Sequence, residues 1–221
     1  MKVLLAPYLK DSKLLNAPVG HYRNASELAV ASRVSVMTAF RFIRQLKREG
    51  FVHESSRVIQ LVRLEELLRR WQAAAIRPIP EIAVRSVVAR DKRVQVQRVL
   101  AAHGDRACVA LFAAAEALHL GFVHGVPAHI YVDDIHPRDL SQIGLMKAEQ
   151  GRVAELILRV PSARNSVFRG ALVKDGLRVC DALQVWLDVS NHPTRGKEQA
   201  HLIFNRVIKP MIDSARHARR Q

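Results

Sequence analysis

Cysteines, aromatic residues and long apolar runs are all scarce in this sequence, and each shortage excludes a class of protein. Two of the 221 residues are cysteines, Cys108 and Cys180, and both lie among apolar neighbours. Thiols in such surroundings behave as small hydrophobes, so no disulfide framework is predicted. The longest apolar stretch, "CVALFAAAEALHLGFV", is interrupted by Glu116 and His119, and the opening "MKVLLAPYLK" is too short in apolar residues for a signal peptide. We therefore expect a cytoplasmic protein with no membrane partner.

Acidic residues are also in short supply relative to basic ones. The chain has 35 Lys and Arg against 20 Asp and Glu, a formal net charge of +15. Residues 1–75 hold 13 basic and 6 acidic residues (+7), and residues 76–221 hold 22 and 14 (+8). This surplus favours a polyanionic partner, foremost nucleic acid. Since 49% of the residues are apolar, the chain can still bury a core, and its length fits one or two domains.

Residues 26–50 have the pattern of two helices separated by a short break. Ser26 is predicted to cap the first helix and Ser35 the second, because a hydroxyl can accept from the free amides of a helix start. Gly50 then ends the second helix. Apolar residues at helical spacing predict the inward-facing side, and these are Leu28, Ala29, Val34, Ala39, Phe42, Ile43 and Leu46.

The segment after Gly50 completes a recognisable order of elements. "FVHESSRVIQLVR" reads as a β-hairpin with its tip at Ser55, Ser56 and Arg57, and residues 64–75 return to a helical pattern. Helix, turn, helix, hairpin and helix are the order of a winged helix-turn-helix, which we predict for residues 1–75. Prolines 78 and 80 mark the predicted domain boundary.

Residues 76–221 alternate between helical and strand-like patterns, without an internal repeat. Strands are predicted at "CVALF", "AHIYVDD", "AELILRV", "RGALV" and "GLRVC", and helices at "DKRVQVQRVLAAHG", "AAAEALHLG", "DALQVWLDVS" and from about Gly196 toward Arg220. Pro210 should kink or interrupt the last helix. The predicted fold class is α+β (mixed α/β), with the N-terminal winged helix-turn-helix followed by a mixed α/β domain.

The second helix of the N-terminal pattern supplies the candidate site, because a helix fits the major groove of B-DNA. Arg suits bidentate contact with guanine and Gln with adenine, so the predicted base-reading residues are Arg41, Gln45 and Thr38. The predicted phosphate-binding residues, for which charge and position matter most, are Ser35, Arg44, Arg48 and Arg57. The alternative is that these arginines form an ordinary solvated helix face.

Several stretches resemble known families. "VSVMTAFRFIRQLKREGFV" resembles the recognition helix and wing of bacterial winged-helix repressors. "LGFVHGVPAHIYVDD", "PSARNSVFRGALVKDGLRVCDALQVWLDVS" and "HPTRGKEQAHLI" resemble the AbiEi-family antitoxins of type IV toxin–antitoxin systems. The resemblance implies a DNA-binding autorepressor of its own operon that counteracts a nucleotidyltransferase-like toxin without needing stable contact with it. It brings no catalytic set and no cofactor.

The adjacent carboxylates Asp133 and Asp134 raise an enzyme alternative, since paired carboxylates hold metal ions in nucleotidyl transfer. Neighbouring strand residues point to opposite faces, however, so we expect this pair to end a strand and cap the next element of the chain. The histidines at 119, 124, 129 and 136 lack zinc-site spacing. We therefore expect no enzyme activity and no metal. A ligand-responsive winged-helix regulator with a C-terminal sensor domain stays open as the second functional hypothesis.

Overall fold

The structure is a computed structural model, and its chain divides into two compact units. Unit 1 is Met1–Ala75 together with Asn205–Gln221, and unit 2 is Ile76–Phe204. The sequence had predicted a second domain that runs to residue 221, whereas the segment after Phe204 belongs with unit 1. The residues that the structure describes are 1–53, 57–87, 91–149, 151, 154–193 and 195–217.

The fold is mixed α/β. In chain order the α-helices of the described residues are α1 (Lys2–Leu5), α2 (Ala25–Ser32), α3 (Val36–Arg48), α4 (Leu64–Ala74), α5 (Lys92–His103), α6 (Leu111–Ala117), α7 (Pro137–Gln142), α8 (Arg164–Gly170), α9 (Ala182–Ser190), α10 (Gly196–Ile203) and α11 (Lys209–His217). The strands are β1 (Glu81–Ser86), β2 (Ala107–Ala110), β3 (Ala128–Val132), β4 (Leu145–Lys147), β5 (Leu156–Arg159), β6 (Leu172–Lys174) and β7 (Leu177–Val179). None of the described helices has the length and apolar character needed to cross a membrane.

In unit 1, α2 begins earlier than the sequence suggested. The N-cap is Asn24, whose Oδ1 accepts from the Glu27 amide at 3.0 Å, while the Glu27 carboxylate accepts from the Arg23 amide at 2.8 Å. Ser26 lies inside the helix and is exposed, so its predicted capping role is wrong. Asn24 is the N-cap because its backbone is extended, as an N-cap requires. Glu27, three residues later, completes the capping arrangement with its carboxylate.

Helices α2 and α3 are joined by the three-residue turn Arg33–Val34–Ser35. Arg33 adopts a left-handed conformation with φ of 50°, and its amide bonds to the Val30 carbonyl while that of Val34 bonds to the Ala29 carbonyl. These two bonds form a Schellman motif, which redirects the chain after α2. The tight turn leaves Val34 42% exposed, so its predicted inward position is wrong.

The start and end of α3 match the sequence prediction. Ser35 caps the helix by accepting from the Thr38 amide at 3.1 Å. At the other end Gly50 has φ of 70°, its amide bonds to Lys47 and that of Phe51 bonds to Leu46, which is a second Schellman motif. Both ends of the helix are therefore hydrogen-bonded by local residues, which fixes the position of its 13 residues.

After α3 the chain folds back on itself. Val52 and Leu61 form an antiparallel bridge, and the His53 amide donates to the Gln60 carbonyl at 3.0 Å. The predicted tip residues Ser55 and Ser56 lie outside the described residues. Helix α4 follows where the sequence predicted a helix, and it buries Leu64, Leu67 and Leu68.

The last helix closes unit 1. In α11, Met211, Ile212 and Ala215 are buried, and the helix packs against α4 and against the 3-10 turn Ala6–Tyr8. The Arg216 guanidinium pairs with the Glu65 carboxylate of α4 at 3.2 Å. Pro210 interrupts the long helix as predicted: a π-helical turn, Phe204–Ile208, separates α10 from α11, because proline cannot donate to the carbonyl one turn earlier.

Unit 2 is built on a mixed sheet of seven strands in the order β4-β1-β5-β3-β2-β7-β6. Strands β3 and β5, and strands β2 and β7, pair in parallel, whereas the other neighbouring pairs are antiparallel. Strand β1 comes from "EIAVRS", which follows directly after the predicted boundary at Pro78 and Pro80 and was not predicted as a strand. Only Val84 of this strand is fully buried. The strand therefore lacks the regular alternation of buried and exposed residues by which a strand is recognised in a sequence.

Helix α9 provides the clearest agreement between sequence and structure in unit 2. Asp181 caps it by accepting from the Gln184 amide at 3.0 Å, and Leu183, Trp186 and Leu187 are buried. The cysteines are free, buried and adjacent, with 3.4 Å between their Sγ atoms. By contrast, part of the predicted strand "RGALV" is wrong, because Arg169 and Gly170 end α8 before the strand begins at Leu172.

Candidate nucleic-acid interface

Helix α3 presents a core-facing side and a solvent-facing side. Its buried residues are Ala39, Ile43 and Leu46, and it packs against α2, whose Leu28 and Ala29 are also buried. Burying these apolar side chains removes them from water at a gain of roughly 25 cal/mol per Å². The packing therefore fixes which residues of α3 face outward.

The solvent-facing side of α3 carries the predicted arginines. Arg41, Arg44 and Arg48 are all exposed and follow one another at helical spacing. Neither Arg41 nor Arg48 forms an ion pair with any acidic side chain of the described residues, and Arg44 lies against the Phe40 ring at 5.8 Å from its centroid. The guanidinium groups of these three arginines are thus available to an external anion on one face of the helix.

Three glutamates of the described part of unit 1 form ion pairs with arginines outside α3. Glu49 pairs with Arg70 at 3.2 Å, Glu65 with Arg69 at 2.6 Å, and Glu66 with Arg63. Most of these pairs are exposed and contribute little to stability. Their effect on the electrostatic field is larger, because the carboxylates neutralise cations outside the exposed face of α3 and leave the α3 arginines uncompensated.

Two of the predicted contact residues are already hydrogen-bonded to each other. The Ser35 and Thr38 hydroxyl oxygens lie 2.8 Å apart, and Ser35 also accepts from the Thr38 amide. Both residues are exposed at the N-terminus of α3, where free amides and the helix dipole favour an anion such as phosphate. The arrangement suits phosphate contact for the pair, and Thr38 would read a base only after its hydroxyl turned away from Ser35.

The side chain of Gln45, unlike that of Arg41, is hydrogen-bonded to a neighbouring carboxylate of the described residues. Its amide nitrogen donates to the Glu49 carboxylate at 3.0 Å, and Glu49 is in turn paired with Arg70. A bidentate contact with adenine needs both ends of the glutamine amide, so it would require Gln45 to release Glu49. Of the predicted base-reading residues, Arg41 is therefore the one that is poised for contact without rearrangement.

The remaining predicted phosphate ligand lies beyond α3. Arg57 is exposed and lies at the start of the segment that returns to pair with residues 51–53, through Gln60, Leu61 and Val62. It belongs to the same unit as α3, and its charge adds to that of the three arginines.

Sequence reasoning named neither Phe40 nor Lys47 among the contact residues of α3, although both are exposed. Phe40 is 49% exposed, and Val36 and Met37, in the first turn of the same helix, are 51% and 56% exposed. The missed signal was spacing: Phe40 lies one turn after Val36 and one turn before Arg44, off the stripe formed by the buried residues.

The paired carboxylates of the second unit do not converge. Asp133 accepts from Arg106 at 2.8 Å and lies 3.3 Å from the His103 ring, whereas Asp134 accepts from the Ile135 amide at 2.7 Å. The described residues contain no group of His, Cys, Asp and Glu side chains that could hold a metal ion. Strand β3 does end before Asp133, but the N-cap position of α7 is His136, so the predicted capping by the pair is wrong.

Unit 2 also buries a polar cluster under α9. The Tyr131 hydroxyl donates to Asp188 at 3.0 Å, and the Gln184 amide donates to the same oxygen at 2.9 Å. Burial, together with the nearby Asp188 charge, raises the pKa of Tyr131 well above its ordinary value. A phenol that keeps its proton acts as a hydrogen-bond donor, so this cluster ties β3 to α9.

Comparison with known proteins adds no assignment. No family model, no curated protein and no solved structure matches this chain. The chemistry of α3 and the sequence resemblances are therefore what a functional proposal rests on.

Proposed function

We propose that unit 1 is a winged helix-turn-helix that binds double-stranded DNA in a sequence-specific manner, with α3 in the major groove. The observation that carries the proposal is the solvent-facing side of α3, where Arg41, Arg44 and Arg48 form no ion pair with the carboxylates of the described residues. The short turn between α2 and α3 and the paired segment after Gly50 support the same arrangement. In it, Ser35, Arg44, Arg48 and Arg57 hold phosphates while Arg41 reads a base.

The biological role that we propose is that of an antitoxin and transcriptional autorepressor of a type IV toxin–antitoxin operon. Its support is the AbiEi-like sequence of unit 2, above all the block from Val179 to Ala200. In this proposal unit 1 represses the operon, and the protein counteracts a nucleotidyltransferase-like toxin. A cavity of about 480 Å³ in unit 1 is lined mainly by arginines and glutamates, so it gives no specific support to the alternative of a ligand sensor in the C-terminal domain.

DNA binding is tested by titrating the full chain into fluorescent duplexes. One duplex carries the DNA upstream of its own gene and the other a shuffled sequence of the same composition. We expect tighter binding to the upstream duplex, and Arg41→Ala should weaken that binding by roughly 5- to 150-fold, since a good bidentate base contact is worth about 1–3 kcal/mol. Gln45→Ala should cost less, because Gln45 is held by Glu49.

The loss must be selective to support base reading. If Arg41→Ala weakens both duplexes equally, Arg41 is a phosphate contact and its base-reading role is wrong. If the wild-type chain binds neither duplex at moderate salt, the DNA-binding proposal itself fails.

The antitoxin role needs a separate experiment, because DNA binding alone does not require it. The neighbouring nucleotidyltransferase-like gene, if present, is expressed from an inducible promoter with and without this chain supplied from another plasmid. Growth rescued by the wild-type chain supports the role. Growth arrest that the chain leaves unchanged contradicts it while leaving the DNA-binding proposal intact.

A further inference from the structure

Helix α3 exposes an apolar patch, formed by Val36, Met37 and Phe40, next to its arginines. These side chains are 51%, 56% and 49% exposed. A single exposed apolar residue is ordinary on a protein surface. Three within five residues, on a helix whose other solvent-facing residues are largely cationic, form a surface that suits an occupant both anionic and locally apolar.

The patch occupies the part of α3 that a groove-binding helix uses for bases. Val36, Phe40 and Arg44 follow each other by single turns, as do Met37 and Arg41. Each of these two stripes therefore begins with apolar side chains in the first turns and continues into arginine. In helix-turn-helix proteins the N-terminal residues of the recognition helix contact the base edges, while flanking cations contact the backbone.

The major groove offers one apolar group on its base edges, the C5-methyl group of thymine. We infer that Met37 and Phe40 bind thymine methyl groups, with Val36 at the edge of the same contact, so that the DNA site contains A·T pairs opposite the first turns of α3. The inference rests on the proposed DNA-binding function and names the bases that this function reads.

The geometry of Phe40 suits this contact. The Arg44 guanidinium lies 5.8 Å from the Phe40 ring centroid, so one side of the ring is covered by a cation. Phosphate binding by Arg44 would then bring the phenyl ring against the groove edge, and burying a methyl group there strengthens binding by about fourfold per methyl. Charge complementarity favours DNA over an apolar protein partner, because a protein covering the patch would also have to satisfy Arg41, Arg44 and Arg48.

The test replaces thymine by uracil, which removes the methyl group and leaves every hydrogen-bonding atom of the base edge. A duplex is first selected by the wild-type full chain from a randomised pool, and each thymine is then replaced in turn. We expect one or more positions at which uracil weakens binding by about fourfold. Phe40→Ala or Met37→Ala should bind the thymine duplex more weakly and no longer distinguish it from the uracil duplex at that position.

Val30→Ala is the matched control, because Val30 is 79% exposed on α2 and lies outside the patch. It should bind like the wild type and keep the thymine preference. Thermal melting checks that the variants fold, which is expected since the substituted side chains are about half exposed.

Each other outcome overturns the inference in a distinguishable way. Tight binding with no thymine preference at any position overturns methyl recognition and leaves the DNA-binding function standing. A preference that survives both Phe40→Ala and Met37→Ala assigns the methyl contact to other residues. A Phe40→Ala chain that changes its oligomeric state but keeps the preference assigns the patch to a protein partner. A selection that enriches no duplex overturns the inference together with the proposed function.

Discussion

His129 shows how burial fixes the charge of a single side chain. The residue is 6% exposed, and its Nδ1 atom lies 3.1 Å from the Pro127 carbonyl oxygen. Burial, and after it the positive charge of Arg159 and the proximity of His192, lowers the pKa of His129 to about 4. The side chain is therefore neutral in the folded protein at every pH above about 5.

This lowered pKa makes the stability of unit 2 dependent on pH. The unfolded chain protonates His129 near its ordinary pKa of 6.5, whereas the folded chain does so near 4. Stability from this residue is thus complete above pH 6.5 and is lost as the pH falls toward 4, by roughly 3 kcal/mol at most. His129→Gln, which cannot titrate, should lose less stability than the wild type between pH 7 and pH 4.5 in denaturant melts. Parallel pH profiles for the two proteins would contradict the prediction.

The exposed arginines of the candidate interface could be predicted from the sequence as a group, but the partners of individual side chains could not. Arg41, Arg44 and Arg48 could be assigned to one exposed face from their spacing, since helical periodicity decides which residues point outward. The restraint of Gln45 by Glu49 could not be predicted in this way, because it depends on side-chain rotamers. The exposure of Phe40 follows from the same helical spacing but had not been read from it. The spacing of residues along a helix can be read from the local sequence, whereas the hydrogen-bond partner of a side chain depends on the folded structure.

At the scale of elements, the end of a helix was predicted correctly where only one nearby residue was a good capping residue. Ser35 and Gly50 bound α3 as expected, because each is the only strong cap or breaker at its end. At the start of α2, Asn24 and Ser26 are both good caps, and the backbone conformation chose Asn24.

That choice gives a matched pair of substitutions. Asn24→Ala removes the side-chain oxygen that satisfies the Glu27 amide and should cost about 1 kcal/mol of the stability of unit 1. Ser26→Ala should be neutral or slightly stabilising, because Ser26 is exposed inside the helix and alanine is the better helix former. Chemical denaturation followed by circular dichroism measures both. A larger loss from Ser26→Ala than from Asn24→Ala would place the cap at Ser26.

Elements with strong periodicity were predicted better than short strands. Helices α3, α4 and α9 have apolar residues at helical spacing and were placed correctly. Strands β1 and β4 were missed, since β1 has mixed polarity and β4 has three residues. The order of the seven strands depends on contacts between distant segments, and no local pattern specifies it.

For the whole molecule, the excess of positive charge should appear as salt-dependent DNA binding. Each phosphate contact releases condensed counterions, so the logarithm of the binding constant falls with the logarithm of salt concentration, with a slope of about −0.9 per contact. Arg48→Ala should make this slope shallower by about 1.

Arg69→Ala is the control for charge alone, because it removes the same charge from unit 1 at an exposed residue that pairs with Glu65. Its salt slope should equal that of the wild type. Binding measured from about 50 to 200 mM salt separates the two variants, and equal slopes for both would show that Arg48 contacts no phosphate.

The return of α11 to unit 1 affects how the protein can be made. Unit 1 is assembled from two segments that are separated by the whole of unit 2, Ile76–Phe204. A ribosome needs on the order of 10 s to synthesise a stretch of this length. Throughout that interval α4 lacks the helix that covers it, and the nascent chain exposes the face to which Met211 and Ile212 will be added. Completion of the proposed DNA-binding unit is therefore delayed until unit 2 has been translated, so that a chain interrupted within unit 2 cannot present the complete unit 1.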